Sequence, residues 1–68
     1  MQNNLKEIRL QKGLTQKQVS KCLGLNNSQD RISMWENGEA IPSIINLKKL
    51  CEIYKKNVYD IYPFFKMK

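Results

Sequence analysis

The chain has 68 residues, which is enough for one small domain and too few for a two-domain enzyme. Hydrophobic residues make up 41% of the sequence and charged residues 26%, the balance of a folded globular chain rather than a disordered one. Twelve Lys and Arg residues against six Asp and Glu give a net charge of +6. This charge suits a protein that binds a polyanion, but a small domain can also carry such a charge for solubility alone.

The missing residue types exclude several kinds of chemistry. The sequence has no histidine, and its two cysteines, Cys22 and Cys51, do not form a CxxC pair, so we expect no metal and no cofactor. Both cysteines fall within apolar helical patterns and are expected to be reduced core residues. There is no paired-carboxylate spacing or glycine-rich phosphate loop, so we expect no catalytic residues and no enzyme. No signal peptide or membrane span is evident, which predicts a soluble intracellular protein.

The apolar spacing predicts short helices and no strands. A first helix is expected over residues 4–12, started by Asn3 or Asn4 and ended by Gly13. Its inward face carries Leu5, Ile8 and Arg9. A second helix of about nine residues follows the N-cap Thr15 and ends at Gly24. Its inward face carries Val19, Cys22 and Leu23.

A third helix is predicted from the N-cap Ser28 to Glu36, with Ile32 and Trp35 directed inward. The turn at 37–38 ends it. The opposite, polar face carries Gln29, Asp30, Ser33 and Asn37.

A loop over residues 39–42 leads to a fourth helix that is capped by Ser43, with Asn57 as its C-cap. The apolar stripe of this helix is Leu47, Leu50, Cys51 and Tyr54. Residues 58–62 can add one last turn before Pro63. We therefore expect a single all-α domain over residues 1–68, a compact bundle of four to five short helices with its core at about 4–62 and a tail at 63–68.

Two short helices joined by a glycine-containing turn match the helix-turn-helix arrangement, whose second helix can enter the major groove of DNA. Three motifs make the match more specific. They are L-x-x-x-R-x-x-x-G-L-T-Q from Leu5, I-S-x-W-E-N-G from Ile32 and P-S-x-x-x-L-x-x-L from Pro42. In this combination the chain resembles the lambda repressor/Cro-like (Xre) family over about residues 5–62. The resemblance implies a four- or five-helix bundle that binds operator DNA in the cytoplasm, associated with the nucleoid of a bacterial or phage host.

The resemblance also implies which residues contact DNA. The expected base-contacting residues are Gln29, Asp30, Arg31, Ser33 and Met34. The expected phosphate-contacting residues are Thr15, Gln16, Lys17, Lys21, Asn37 and Ser43. Their chemistry suits these roles, since Gln pairs with adenine, Asp with cytosine, and helix starts bind phosphate. Alternatives remain: Gln16 can be a simple exposed residue, Asp30 can stabilise the helix start, and Lys17 and Lys21 can form a solvated face.

Three further positions have structural roles in the resembling proteins. Arg9 and Glu36 correspond to a partly buried ion pair, and Ser20 takes a small-residue position where the two helices of the motif cross. The sequence departs from the family in two segments. The turn from Gly24 to Ser28 is about two residues longer than is common, with Asn26-Asn27 as the addition, and the segment 57–62 is about one residue shorter, which leaves a fifth helix open.

The leading hypothesis is a sequence-specific DNA-binding transcriptional regulator that acts on double-stranded DNA as a homodimer, because one recognition helix reads only a few base pairs. The surface expected to pair is a C-terminal aromatic segment made of Tyr59, Ile61, Tyr62, Phe64 and Phe65. For this segment, the alternative is that it folds back onto the core of its own chain. The alternative is a protein-interaction adaptor that uses the same helices on another protein. An antitoxin or a restriction-control regulator would be a subtype of the DNA-binding hypothesis.

Overall fold

A computed structural model describes residues 3–25 and 29–64. Within these ranges the chain is helical, which confirms the all-α prediction. The helices are α1 (Leu5–Gln11), α2 (Gln16–Cys22), α3 (Gln29–Glu36), α4 (Ile44–Tyr54) and α5 (Val58–Ile61). Among the described residues, no helix is long and apolar enough to cross a membrane.

The start of α2 is fixed by a reciprocal cap. Thr15 is the N-cap, as the sequence predicts, and its hydroxyl accepts a hydrogen bond from the Gln18 backbone N–H at 3.1 Å. The Gln18 side-chain oxygen accepts from the Thr15 N–H at 2.8 Å. Two backbone donors that a helix start leaves without partners are thereby satisfied, so the first turn of α2 is rigid.

The end of α2 is equally well defined. Gly24 has φ of +72°, a conformation in which a side chain would be strained. Its N–H donates to the Lys21 carbonyl, and the Leu25 N–H donates to the Ser20 carbonyl. These two bonds form the Schellman arrangement that ends a helix, and they turn the chain out of α2 towards α3.

The boundary between α4 and α5 differs from the sequence prediction. Asn57 is not the C-cap of α4; Lys55 takes the left-handed conformation there, with φ of +53°. Asn57 instead starts α5, because its side chain accepts from the Asp60 N–H at 3.0 Å while Asp60 accepts from the Asn57 N–H. The fifth helix that the sequence left open is therefore formed, as a single capped turn.

The core lies between the five helices and contains the buried apolar residues. They are Leu5, Ile8, Val19, Leu23, Ile32, Trp35, Leu50, Tyr54, Ile61 and Tyr62. Ser20 is also fully buried, on the helix that packs most extensively against α3. A side chain at this position must be compact, as the sequence predicts.

Cys22 does not lie in the core as the sequence predicts, and Ile61 and Tyr62 do not lie at the surface that was expected to pair. Cys22 is exposed, because it sits at the outer edge of α2 while Val19 and Leu23 occupy the inward face. Cys51 is half-buried against the core, and burial raises the pKa of its thiol, with a smaller contribution from Asp60. Ile61 and Tyr62 are buried inside their own domain and are not part of an exposed aromatic surface.

The described N-terminal residues tie the first helix to distant parts of the chain. The Asn4 N–H and side-chain amide donate to the carbonyls of Ile61 and Asp60, both at 2.9 Å. The Asn3 amide donates to the Trp35 carbonyl at 2.8 Å. We call these bonds the asparagine clamp. It joins α1 to α5 and to the last turn of α3.

Candidate nucleic-acid interface

The third helix has a buried face and an exposed polar face. Ile32 and Trp35 are only 2% and 5% exposed and anchor the helix in the core. On the other side, Gln29, Asp30 and Arg31 are exposed. The residues that the resemblance implies for base contact are therefore presented at the surface by a helix whose back is fixed.

The two other residues of that predicted set are less fully exposed. Ser33 is half-buried, and its hydroxyl lies 3.4 Å from the Asn37 side-chain nitrogen. Met34 is 42% exposed. Both remain accessible from solvent, so every residue of the predicted set reaches the surface, with Arg31 and Met34 at the margin of the polar face.

The turn before α3 is described only in part. The predicted N-cap Ser28 and the added residues Asn26 and Asn27 lie outside the described residues, and α3 is described from Gln29. The polar face of α3 begins directly at that residue.

The residues predicted to contact phosphate are distributed over three segments. Thr15, Lys17 and Lys21 are exposed on α2 and at its start. Asn37 is exposed in the turn after α3. Ser43 caps α4, accepting from the Asn46 N–H at 3.2 Å. All are at the surface, and Thr15 and Ser43 stand at helix starts, where the helix dipole favours an anion.

Beneath this surface, Arg9 and Glu36 form an ion pair. Arg9 Nε donates to Glu36 Oε2 at 2.6 Å and Arg9 Nη2 donates to Oε1 at 3.2 Å. The side chains are 9% and 2% exposed, so the pair is nearly removed from water. The third guanidinium nitrogen, Nη1, donates to the Leu14 carbonyl at 2.9 Å. One side chain of α1 thus holds both the end of α3 and the turn that leads into α2.

The surroundings of the pair stabilise its charged form. The hydrogen bond to Glu36 raises the pKa of Arg9, in spite of partial burial, which acts in the opposite direction. Nearby, burial raises the pKa of Tyr54 to about 12, and the negative charge of Glu36 adds to this effect. Because the Tyr54 phenol stays neutral, it adds no second negative charge beside Glu36, and the positive charge of Arg9 compensates this one carboxylate.

Gln16 is not a simple exposed residue. It is half-buried at the start of α2, and its Nε2 donates to Glu36 Oε1 at 3.1 Å. The resemblance indicates that Gln16 braces the recognition helix, but the sequence gives no signal for Glu36 as its acceptor. The two residues are twenty positions apart, and only the packing of α2 on α3 brings them together.

The sequence analysis also missed an exposed apolar group at the start of α4. Ile41, Ile44 and Ile45 are 58%, 83% and 68% exposed, and we call them the isoleucine cluster. Ile41 also lines a groove of about 350 Å³ together with Arg31 and Met34 of α3. The spacing signals only Ile45, which lies on the other side of α4 from Leu47 and Leu50, whereas Ile44 stands three residues before Leu47 and its exposure is not predicted by the spacing.

Comparisons with known proteins agree with this geometry. A family model described as helix-turn-helix matches residues 5–61. The chain is also 24% identical over 62 residues to a protein of Bacillus subtilis (strain 168) named uncharacterized HTH-type transcriptional regulator YgzD, with 91% of each chain covered. No solved structure matches the chain significantly. Because the family model spans most of its length, the chain belongs to the helix-turn-helix family of DNA-binding proteins.

Proposed function

We propose that this protein is a sequence-specific, repressor-like transcriptional regulator that binds operator DNA with α3 in the major groove. The observation that carries the proposal is the two-sided character of α3, with Ile32 and Trp35 in the core and Gln29 to Arg31 exposed. The family match and the name of the similar protein support a regulatory role. The proposal assigns the chain no enzymatic activity, and it places the protein at the nucleoid of a bacterial or phage host.

In this proposal the exposed face of α3 reads the bases. Gln29 donates to and accepts from adenine, Arg31 donates to guanine or to a phosphate, and Met34 contacts a thymine methyl group. Ser33 can bond to either kind of base edge. Asp30 accepts from cytosine, and because its charge repels phosphate, its contribution is to specificity rather than to affinity.

The phosphate contacts come from the segments that surround α3. Lys17 and Lys21 supply positive charge from α2, and Arg9 is not available for this because Glu36 neutralises it. Thr15, Gln16, Asn37 and Ser43 contribute neutral donors at helix starts and turns. Such contacts fix the position of the domain on the duplex without reading its sequence.

Selection of bound duplexes from a random oligonucleotide library tests sequence reading. We expect a defined site, and we expect Gln29→Ala to lose about 1–3 kcal/mol of discrimination at one base position. Gln11→Ala is the matched control, since Gln11 is exposed on α1 and lines a pocket with Lys56 and Asp60, which contains no residue of α3. If Gln29→Ala binds every sequence as the unchanged protein does, α3 does not read bases.

A salt titration tests phosphate binding separately. The logarithm of the binding constant should fall linearly with the logarithm of salt concentration, and Lys17→Ala should reduce the slope by about 1. Lys6→Ala, an exposed lysine of α1, should leave the slope unchanged. A binding constant that does not change with salt concentration would show that no phosphate is contacted.

We further propose that two copies bind one operator. A recognition helix of eight residues reads few base pairs, so a dimer with half-sites about 34–36 Å apart doubles the site. Among the described residues of the C-terminal aromatic segment, Tyr59 and Phe64 are available for pairing, at 49% and 73% exposed, and Phe65 lies outside the described residues. The isoleucine cluster is a second exposed apolar surface that is available for pairing.

Light scattering with and without DNA separates the two surfaces. Phe64→Glu should abolish pairing if the C-terminal segment forms the interface, and Ile44→Glu should do so if the isoleucine cluster forms it. The selected site should contain two inverted half-sites in either case. A single asymmetric half-site bound by one copy would contradict the dimer.

A further inference from the structure

We propose that Glu36 is a positioning residue for phosphate binding: it holds the side-chain amide of Gln16 by its nitrogen, so that the second N–H of that amide is presented to a DNA phosphate. This inference rests on the proposed function, because it assumes that Gln16 meets the DNA backbone. It adds a role for Glu36 beyond that of an ion-pair partner. The supporting observation is the shared acceptor Oε1, which takes hydrogen bonds from both Gln16 and Arg9.

The chemistry of the two groups decides which end of the amide faces the carboxylate. A glutamine amide has an oxygen that only accepts and a nitrogen with two donors, and the two ends have nearly the same shape. Glu36 can only accept when it is ionised, so only the nitrogen end of Gln16 can bond to it. A flipped amide would set oxygen against oxygen beside a carboxylate that is 2% exposed.

This orientation matters because a phosphate also only accepts hydrogen bonds. A glutamine that is free to rotate presents its oxygen or its nitrogen to the DNA, and only the nitrogen binds. With one N–H of Gln16 engaged by Glu36 at 3.1 Å, the other N–H of the same nitrogen remains for the phosphate. The donor is therefore set in place before DNA arrives, which lowers the entropy lost on binding.

Arg9 makes this arrangement compatible with a nearby polyanion. Its guanidinium neutralises Glu36, so the carboxylate does not repel the phosphate that Gln16 is to bind. Arg9 also bonds to the carbonyl of Leu14, two residues before Gln16. The same side chain thus fixes both the carboxylate and the backbone from which Gln16 projects.

The first measurement is made on the free protein by NMR. We expect the side-chain amide of Gln16 to be ordered, with an order parameter well above that of Gln11, which is exposed on α1. In the double variant Arg9→Met/Glu36→Met, the Gln16 amide should become as mobile as that of Gln11. This variant removes the carboxylate without leaving an unpaired buried charge, so the fold should be retained.

The second measurement is a cycle of DNA affinities on a mixed-sequence duplex, which reports phosphate contacts alone. We expect Gln16→Ala to weaken binding roughly ten- to hundredfold, the worth of one hydrogen bond to a charged acceptor. The double variant should weaken binding to a similar extent. In the Gln16→Ala background, the double change should have no further effect.

The outcomes separate this inference from the function on which it rests. A Gln16 amide as mobile as that of Gln11 in the unchanged protein would overturn the positioning role. Equal loss of affinity from the double change in both backgrounds would also overturn it, because Glu36 would then act through the fold alone. If Gln16→Ala leaves affinity unchanged, the phosphate contact itself is wrong. Failure of the unchanged protein to bind any duplex would overturn the proposed function instead.

Discussion

Replacing Arg9 by methionine should remove most of the stability of the domain. The change deletes the two hydrogen bonds to Glu36 and the bond from Nη1 to the Leu14 carbonyl. It leaves a carboxylate that is 2% exposed and that still accepts a hydrogen bond from Gln16. Breaking a buried pair from one side costs about 3–5 kcal/mol. A domain of this size rarely gains more than about 3–5 kcal/mol from apolar burial, so the variant should be largely unfolded at 25 °C.

Urea titration followed by tryptophan fluorescence measures this loss directly. Trp35 is the one tryptophan of the sequence and is 5% exposed, so its emission reports the opening of the core. Lys6→Met, an exposed change on the same helix, is the control and should cost little. Arg9→Met/Glu36→Met should recover much of the lost stability, since no charge is left unpaired. A loss below about 1 kcal/mol for Arg9→Met would refute the reasoning, because that is the worth of a hydrated surface pair.

Three other changes should alter stability in defined directions. Ser20→Ala should stabilise the fold by about 1 kcal/mol, because the buried Ser20 hydroxyl has no hydrogen-bond partner among the described residues. A thermal or urea titration measures this gain, and a loss of stability would show that the hydroxyl is hydrogen-bonded. Lys55→Gly should raise the free energy of unfolding by about 1 kcal/mol, since it relieves a left-handed conformation with φ of +53°; no gain would mean that the strain is compensated. Burial raises the pKa of Tyr54 to about 12, so the folded state holds the phenol proton more tightly than the unfolded chain does. The resulting stability is present below about pH 10 and is lost as the pH rises through about 12. Across this range the free energy of unfolding should decline less steeply in Tyr54→Phe than in the unchanged protein. An identical decline in both proteins would contradict the assignment to Tyr54.

The helix ends were the most predictable part of this fold because their causes are local. Thr15 and Ser43 cap helices through their own hydroxyls, and Gly13 and Gly24 end helices because a left-handed residue is needed there. The prediction for Asn57 was wrong for a related reason. An asparagine suits both a helix start and a helix end, and the capping box with Asp60 decides in favour of the start.

Burial was less predictable at the edges of helices than at their centres. Cys22 fits the apolar spacing of α2, but short helices bury a narrow face, and Val19 and Leu23 already fill it. Ile61 and Tyr62 are among the residues expected from the sequence to pair with a second copy, whereas the core buries both once α5 is formed. The set on α3 that is predicted to contact DNA was within reach because Gln29, Asp30 and Ser33 lie on the side away from Ile32 and Trp35. The contact between Gln16 and Glu36 was not, since it depends on how two helices pack.

The asparagine clamp limits how far the domain can be shortened without loss of its fold. The helix proposed to enter the major groove is held by residues far outside it: Asn3 donates to the last turn of α3, and Asn4 ties α1 to α5. A synthetic peptide covering only α2 and α3 would lack both asparagines as well as Arg9. Such a fragment should be a disordered coil in solution, and the smallest unit able to recognise an operator should extend from the asparagines to Tyr62.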